Sequence, residues 1–367
     1  MIRTIAVLGA GNAGVTAAAH LALRGFRVRL GSRAPERLEP IQERGAIELV
    51  GVAGEGEARP ELVTAELGAA VEGADLIMLT VAGPGLDDYA RRLAPLLRPG
   101  QRVLLNPGQC GGALQFRRAL ERWGAPDGVL LGETSSLTYG CRRVGPAKAW
   151  AYVLVQHLPF AALPATRTDD MLQALRTLYP SLEPAPHVLY TSLHYLNCVL
   201  HPPGMVCNAG WIEYSRGGFR YYFEGTTPAV ARAIEAVDRE RLEIVRAYGL
   251  TGRTFLDTFY RHGYTTREAW ETGSIYRAFQ DSEVNKPRMA PETLHHRYME
   301  EDVPYGLVPM AALGRTGGVD TPVIDALITI ASVLMGTDYR REGRNAERMG
   351  FDGWTSARLL RWVQEGA

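Results

Sequence analysis

Three glycines near the start of the chain constrain its fold more than any other feature. Residues 5–8 are a short apolar run that ends in Gly9-Ala10-Gly11-Asn12-Ala13-Gly14, a G-x-G-x-x-G spacing. A helical apolar pattern follows at once over residues 15–23. In a strand–turn–helix setting each glycine has its own task. Gly9 permits a tight turn, Gly11 lets the backbone approach a pyrophosphate, and Gly14 lets the helix pack on the strand. The free N–H groups and positive dipole end of that helix then face the phosphates. The pattern predicts a dinucleotide site made by Gly9, Gly11, Asn12, Ala13 and Gly14. The alternative is a glycine-rich turn of some other α/β protein.

The next strand is expected at residues 27–30, after Gly25. An NAD site usually carries an acid near the end of this strand to bond the ribose 2′-hydroxyl. Here the chain reads Leu30-Gly31-Ser32-Arg33, with no acid. Ser32 and Arg33 suit a 2′-phosphate, Arg33 through a charge-assisted bond, which favours NADP over NAD. The plainer alternative leaves Arg33 in solvent and gives the ribose to Glu36 or another group. A strand at 46–50 and a loop or hairpin at 51–60 follow. Then come a buried parallel strand at 76–81, a helix at 86–97 and a strand at 102–105. That last strand runs into Asn106-Pro107-Gly108-Gln109-Cys110-Gly111-Gly112, a second glycine-rich loop on the ligand side of the sheet. Asn106 and Gly108 are assigned to the nicotinamide end or the substrate, with a plain strand-to-helix turn as the alternative. A strand at 129–133 leads to a polar segment at 134–142. Residues 150–156 and the helical stretch 168–178 complete the α/β part.

Near residue 185 strand-like runs vanish and helical periodicity takes over, notably at 227–248 and 320–335. With 367 residues, about two domains are expected. Residues 1–184 are read as a Rossmann-type α/β domain with a parallel sheet. Residues 185–367 are read as a mainly α-helical domain for substrate and catalysis. The formal net charge is zero, so neither nucleic acid nor a membrane surface is an expected partner. No stretch approaches the roughly 20 apolar residues of a membrane span, and the N-terminal run is too short for a signal peptide. Cys110, Cys141, Cys198 and Cys207 fit neither zinc spacing nor a disulfide framework. No metal is expected, and a reducing cytoplasm is. The sequence is compatible with a homodimer through the helical domain.

A nicotinamide supplies the hydride, so the protein must supply an acid/base, an anion clamp and a water-poor pocket. His201 suits the first role, since its ordinary pKa near 6.5 allows proton transfer around neutrality. Pro202 and Pro203 are expected to end any helix there. Asn197 lies four residues before His201, on the same helical face, and can orient a substrate or cofactor amide. Arg297 can hold a carboxylate in a bidentate pair, and Asp302 can fix the His201 tautomer and stabilise its charged form. Plainer alternatives remain. In these His201 only caps a helix, Arg297 and Asp302 form a surface ion network with Glu300 and Glu301, and His194, His295 and His296 compete for the proton-transfer role.

With these stretches in view, the chain resembles the opine dehydrogenases of the octopine/nopaline type. The resemblance spans nearly the whole chain. It rests on residues 9–14, Asn106-Pro107-Gly108 with Gly111-Gly112, Asn197-x-x-x-His201-Pro202 with residues 205–210, and the run from Arg297 through Asp302 to Pro309. It implies a Rossmann domain followed by a helical one, with substrate in the cleft between them. His201 would pair with Asp302, and Arg297 would bind a substrate carboxylate. The implied reaction joins the amino group of an amino acid to a 2-oxo acid, commonly pyruvate, with NAD(P)H reducing the imine. Asn197 and Asn208 would then position nicotinamide or substrate, and Tyr260, Tyr264 and Trp270 would line the amino-acid pocket. Two other readings compete. A ketopantoate reductase- or glycerol-3-phosphate dehydrogenase-like enzyme needs a catalytic lysine. Among the 40 basic residues only Lys148 and Lys286 are lysines, and only Lys286 lies in the helical part. A non-catalytic redox sensor would keep the glycine loop and need none of the His201, Asp302 and Arg297 set.

Overall fold

The computed structural model describes residues 2–366. The chain divides into two compact units. One comprises the chain up to Ser192 with the C-terminal residues from Arg361; the other is Leu193–Leu360.

Among the described residues the first unit carries twelve strands in two sheets. They are β1 (Thr4–Leu8), β2 (Arg27–Gly31), β3 (Ile47–Gly51), β4 (Gly56–Ala58), β5 (Leu62–Thr64), β6 (Leu76–Leu79), β7 (Arg102–Leu105), β8 (Leu130–Thr134), β9 (Tyr139–Gly145), β10 (Lys148–Leu154), β11 (Leu158–Leu163) and β12 (Leu182–Pro184). The larger sheet has the order β12-β11-β8-β7-β6-β1-β2-β5. Its strands run parallel except where β11 meets β8 antiparallel. Every residue of β1 and β6 is buried, as expected of central parallel strands covered on both faces. The strand order reverses between β1 and β6, and their ends are in register at Leu8 and Leu79. Crevices for ligands form at such reversals, outside the carboxyl ends of the strands.

The strand expected at 46–50 is present as β3, but it belongs to a second sheet of order β4-β3-β10-β9, which the sequence did not disclose. This sheet and the main one enclose the helix Asn12–Leu23 between them. That position accounts for the helix sequence, in which Gly14 to Leu21 are all buried and no polar face is left. Its one histidine, His20, is held by the Tyr139 hydroxyl at 2.9 Å, and burial pushes its pKa down to about 4. The segment 134–142, expected to be merely polar, becomes strand β9 from Tyr139 onward.

The second unit is helical. Its long helices are Pro228–Ala247 and Pro322–Met335. Thr227, Thr254, Thr266 and Ser274 each cap the helix that follows them, worth about 1 kcal/mol apiece. Buried Glu240 accepts hydrogen bonds from the Val323 and Ile324 N–H groups, placing a carboxylate at the positive end of Pro322–Met335. Among the described residues no single helix is long and apolar enough to cross a membrane.

Candidate active site

The dinucleotide end is built by backbone. A Cβ at Gly14 would lie 1.6 Å from the Gly9 carbonyl oxygen, so this glycine is what lets the helix close on the strand. Gly9 has φ of 113°, a left-handed value that favours glycine. A Cβ at Gly11 would meet nothing within 4 Å, so open space lies in front of the loop. Gly11 also caps the helix without any side-chain bond. An anion has both room and N–H donors there, and the residues present fit a dinucleotide pyrophosphate. Arg143, which the sequence did not flag, braces this loop. Its N–H donates to Asn12 Oδ1 at 2.9 Å and its guanidinium to the Ala10 carbonyl at 3.1 Å.

Ser32 and Arg33 directly follow β2. The Ser32 hydroxyl accepts from the Ala34 N–H at 3.2 Å. Arg33 pairs with Asp88 at 2.5 Å and lies over the Tyr89 ring. Arg91 and Arg92 reach the same carboxylate. Burial opposes the charge on Asp88, yet the three guanidiniums hold its carboxyl well below the usual range.

The second glycine-rich loop is organised around a buried acid that the sequence did not single out. Glu133 accepts from the Ala113 N–H at 2.8 Å and the Thr191 hydroxyl at 2.6 Å. A Cβ at Gly108 would fall 1.9 Å from its Oε2. Gly108 is therefore explained by Glu133. Asn106 is fully buried, and its Oδ1 accepts from the Thr138 N–H and hydroxyl at 3.1 and 3.0 Å. That carbonyl ties β7 to β9.

The second unit brings His201, Asp302, Asn197 and Arg297 together. His201 and Asn197 lie on the helix Asn197–Cys207. Pro202 and Pro203 sit inside that helix and do not end it, contrary to expectation. They remove the N–H groups that would bond the Cys198 and Val199 carbonyls, and burial on all sides holds the helix together instead. Gly204 leaves room for the Tyr221 ring, whose hydroxyl donates to the His201 carbonyl at 2.9 Å. Asp302 precedes a turn of π-helix, Val303–Leu307. The Asp302 N–H bonds the Arg297 carbonyl, and the Leu307 N–H bonds that of Asp302. In an α-helix a five-residue step turns side chains about 140° apart. The wider i→i+5 winding reduces that angle, and such turns recur at functional sites. Gly306 makes the approach possible, since a Cβ there would lie 2.3 Å from that of Cys198.

His201 Nδ1 and Asp302 Oδ2 are 2.7 Å apart, and both side chains are buried. The Tyr195 hydroxyl donates to the other carboxylate oxygen at 2.7 Å. Burial lowers the His201 pKa; Asp302 opposes that and Arg297 adds to it. The imidazole is thus neutral near pH 7, with its proton on Nδ1. Its Nε2 is 2.9 Å from the Tyr222 hydroxyl, and Tyr298 stacks on the ring with centroids 3.6 Å apart. The Arg297 side chain is 53% exposed and pairs with Glu301 at 3.2 Å. Desolvation works against its charge, but Glu301 and Asp302 outweigh that and raise its pKa. Asp302, by contrast, is withdrawn from the surface, so the two do not form the surface network weighed above.

Other expectations fall elsewhere. Asn208 donates both amide hydrogens, to the Gly204 and Gly225 carbonyls at 2.8 and 3.0 Å, and so joins backbone segments. Trp270 stacks on Tyr260 and bonds Asp257, lining an open cleft of about 690 Å³ whose lining omits His201, Arg297 and Asp302. Tyr264 packs on Phe259. His295 is exposed beside Glu300, and His296 caps the short helix Arg297–Glu300. Lys286 lies beside Glu283 and over Phe223. Tyr195, Tyr222 and Tyr298 were missed as site residues. Only Tyr298 had a signal, its place inside the charged run after Arg297.

Glycine loop, parallel sheet, helical unit and buried imidazole–carboxylate pair define a two-domain, nicotinamide-dependent oxidoreductase. Comparison with known proteins narrows the class. A family model described as NAD/NADP octopine/nopaline dehydrogenase, alpha-helical domain, matches residues 184–335, and one described as ketopantoate reductase PanE/ApbA matches residues 5–108. An opine dehydrogenase of Arthrobacter sp. (strain 1C) is 39% identical over 362 residues, 99% of each chain. Octopine dehydrogenase solved with NADH and L-arginine superposes with a TM-score of 0.79 at 21% identity, covering 98% of each chain. With NADH and pyruvate the TM-score is 0.76 at 22% identity, over the same shares. Yersinopine dehydrogenase with NADP+ gives 0.75 at 16% identity, covering 100% of this chain and 98% of that one. The chain belongs to the opine dehydrogenase family. It is an NAD(P)-dependent oxidoreductase acting on CH–NH bonds, and its reaction is the reductive condensation of a 2-oxo acid with the amino group of an amino acid.

Proposed function

We propose that the chain condenses pyruvate with an α-amino acid, with NADPH preferred over NADH and His201, Asp302 and Arg297 as the working residues. The observation that carries this reading is the buried contact of 2.7 Å between His201 Nδ1 and Asp302 Oδ2, with Arg297 close by on the same turn. The nicotinamide supplies a hydride to the imine carbon when bound. His201 does the proton work at Nε2. Neutral, it takes a proton from the substrate ammonium and so frees the amine to attack the carbonyl carbon. As imidazolium, held by Asp302, it returns that proton to the hydroxyl that leaves as water. Arg297 holds the oxo-acid carboxylate through its planar fork and fixes which face of the carbonyl carbon is presented. Asn197 lies one helical turn from His201, where its amide reaches a substrate polar group.

The NADPH preference rests on Arg33, Arg91 and Arg92 sharing the single carboxylate of Asp88 at the end of β2. That set carries surplus positive charge where the adenosine ribose of a bound dinucleotide lies. Solved structures of octopine dehydrogenase with pyruvate and with L-arginine support the substrate classes.

Replacement of Arg297 tests the clamp. Arg297→Gln should lower kcat/KM for pyruvate by about 10²-fold, the loss of a charge-assisted bidentate pair, and the KM for the coenzyme should stay near that of the parent. An unchanged KM for pyruvate would remove Arg297 from the clamp. A higher kcat/KM for NADPH than for NADH supports the coenzyme reading, and the reverse order overturns it.

A further inference from the structure

His201 Nε2, the nitrogen that must exchange protons with substrate, is also tied to a hydroxyl chain. It meets the Tyr222 hydroxyl at 2.9 Å, and that hydroxyl meets the Tyr298 hydroxyl at 2.9 Å. Tyr222 is buried at 7% exposure, whereas Tyr298 is only partly buried. The contacts therefore lead from a buried imidazole toward solvent.

The donors in this chain can be assigned in one consistent direction. The Asp302 carboxylate only accepts, so Nδ1 carries the ring proton and Nε2 is an acceptor. Tyr222 O–H then donates to Nε2, and Tyr298 O–H donates to Tyr222. Burial raises the pKa of both phenols, so both are protonated near neutral pH. Other charged or titratable groups border the chain. Tyr195 and Asp302 lie beyond Nδ1, Arg297 and His296 flank Tyr298, Tyr221 packs on both tyrosine rings, and Arg288 acts on Tyr222.

The reaction needs such a connection. With the amine entering as its ammonium, R–NH3+ and R′–CO–COO− combine with one hydride and one proton. The products are R–NH2+–CH(R′)–COO− and one water, so hydrogens and charge balance only if a proton arrives from solvent in each turnover. His201 is buried and has no other hydrogen-bonded outlet at Nε2 among the described residues.

We propose that Tyr222 is a positioning and relay residue, and that Tyr298–Tyr222–His201 is the path by which the imidazole exchanges protons with water. An arriving proton binds Tyr298 Oη while its own hydrogen passes to Tyr222 Oη. The Tyr222 hydrogen then passes to Nε2. Each O–H bond that breaks is replaced by one that forms, and rotation of the two hydroxyls resets the chain once Nε2 has given up its proton. The inference rests on the acid/base role given to His201 above.

The test uses Tyr222→Phe and Tyr298→Phe, with His201→Gln as the control, each checked for parental thermal unfolding. Both phenylalanine variants should lose about 10-fold or more in kcat, a part of the 10²–10⁴ typical of general acid–base catalysis. The KM for pyruvate should change less than about 3-fold. The double variant should be no worse than the weaker single one, since the two hydroxyls serve one path. A small proton carrier such as imidazole buffer at high concentration should restore much of the kcat of Tyr222→Phe. A merely structural tyrosine would not respond to the buffer. Near-parental kcat in Tyr222→Phe, or a loss confined to KM and indifferent to the buffer, overturns the relay. An active His201→Gln overturns the acid/base reading beneath it, and an inactive one supports that reading.

Discussion

Asp302→Asn isolates the charge beside His201 with almost no change of shape. Both carboxylate oxygens accept hydrogen bonds, from His201 Nδ1 and from the Tyr195 hydroxyl, each at 2.7 Å. An asparagine offers one acceptor and one N–H2 group in the same space. The imidazole must then shift its proton to Nε2, or the Tyr195 hydroxyl must turn away. In the first case Nε2 can no longer accept a proton. In either case the imidazolium loses its counter-charge. At about 4 Å and an effective dielectric of about 20, that attraction is about 4 kcal/mol. A charge-assisted hydrogen bond is worth about 1.5–3 kcal/mol and overlaps with it. Taken together, a barrier increase of about 3–4 kcal/mol lowers kcat by roughly 10²–10³-fold. The direction of the pH shift follows as well. Asp302 raises the pKa of His201 against the effect of burial, so without it the pKa falls further. The acid limb of kcat/KM, set by protonation of His201, should move to lower pH. Coenzyme oxidation at saturating pyruvate and amino acid, measured across pH, reads both effects. A kcat within about 3-fold of the parent, or an acid limb that moves upward, would refute the pairing as a catalytic device.

Two further outcomes follow from packing and burial. Gly306→Ala places a Cβ 2.3 Å from that of Cys198; it should cost about 1–3 kcal/mol as overpacking, seen as a lower melting temperature, and should reduce kcat by pushing Asp302 off the His201 helix. Burial lowers the pKa of His20 and of His187 to about 4. Both are neutral in the folded chain, while the unfolded chain binds their protons below about pH 6.5. Their stabilisation is therefore complete above that pH and is lost as pH falls toward 4, by up to about 3 kcal/mol each. The melting temperature should drop steeply between pH 6.5 and 4, and a flat profile there would contradict the burial of these two imidazoles.

Where sequence reasoning succeeded, one local pattern carried one structural task. Leu76 to Leu79 is apolar throughout because both faces of β6 are covered, and Gly14 is required by the close approach of Gly9 and Thr80. The second sheet was hidden because β9 carries Arg142 and Arg143 on a half-exposed edge, so it looks polar. Its role depends on the Asn12–Leu23 helix, far away in sequence. Pro202 and Pro203 misled for a related reason. The local preference against proline is real, but burial on every side outweighs two lost hydrogen bonds. Asn106 and Asn208 are read from the sequence as ligand-facing, and their amides also serve backbone groups that only the folded chain brings near. Tyr222 had no signal at all. Its value lies in the distance from its hydroxyl to His201 Nε2, which no spacing along the chain encodes.

The most direct test of the central claim is coenzyme oxidation followed by absorbance, with pyruvate alone, amino acids alone, and both together. Reductive condensation predicts oxidation only when both partners are present, with a secondary amine as product and NADPH used faster than NADH. Oxidation with pyruvate alone at a comparable rate would make the protein a simple carbonyl reductase and contradict the account.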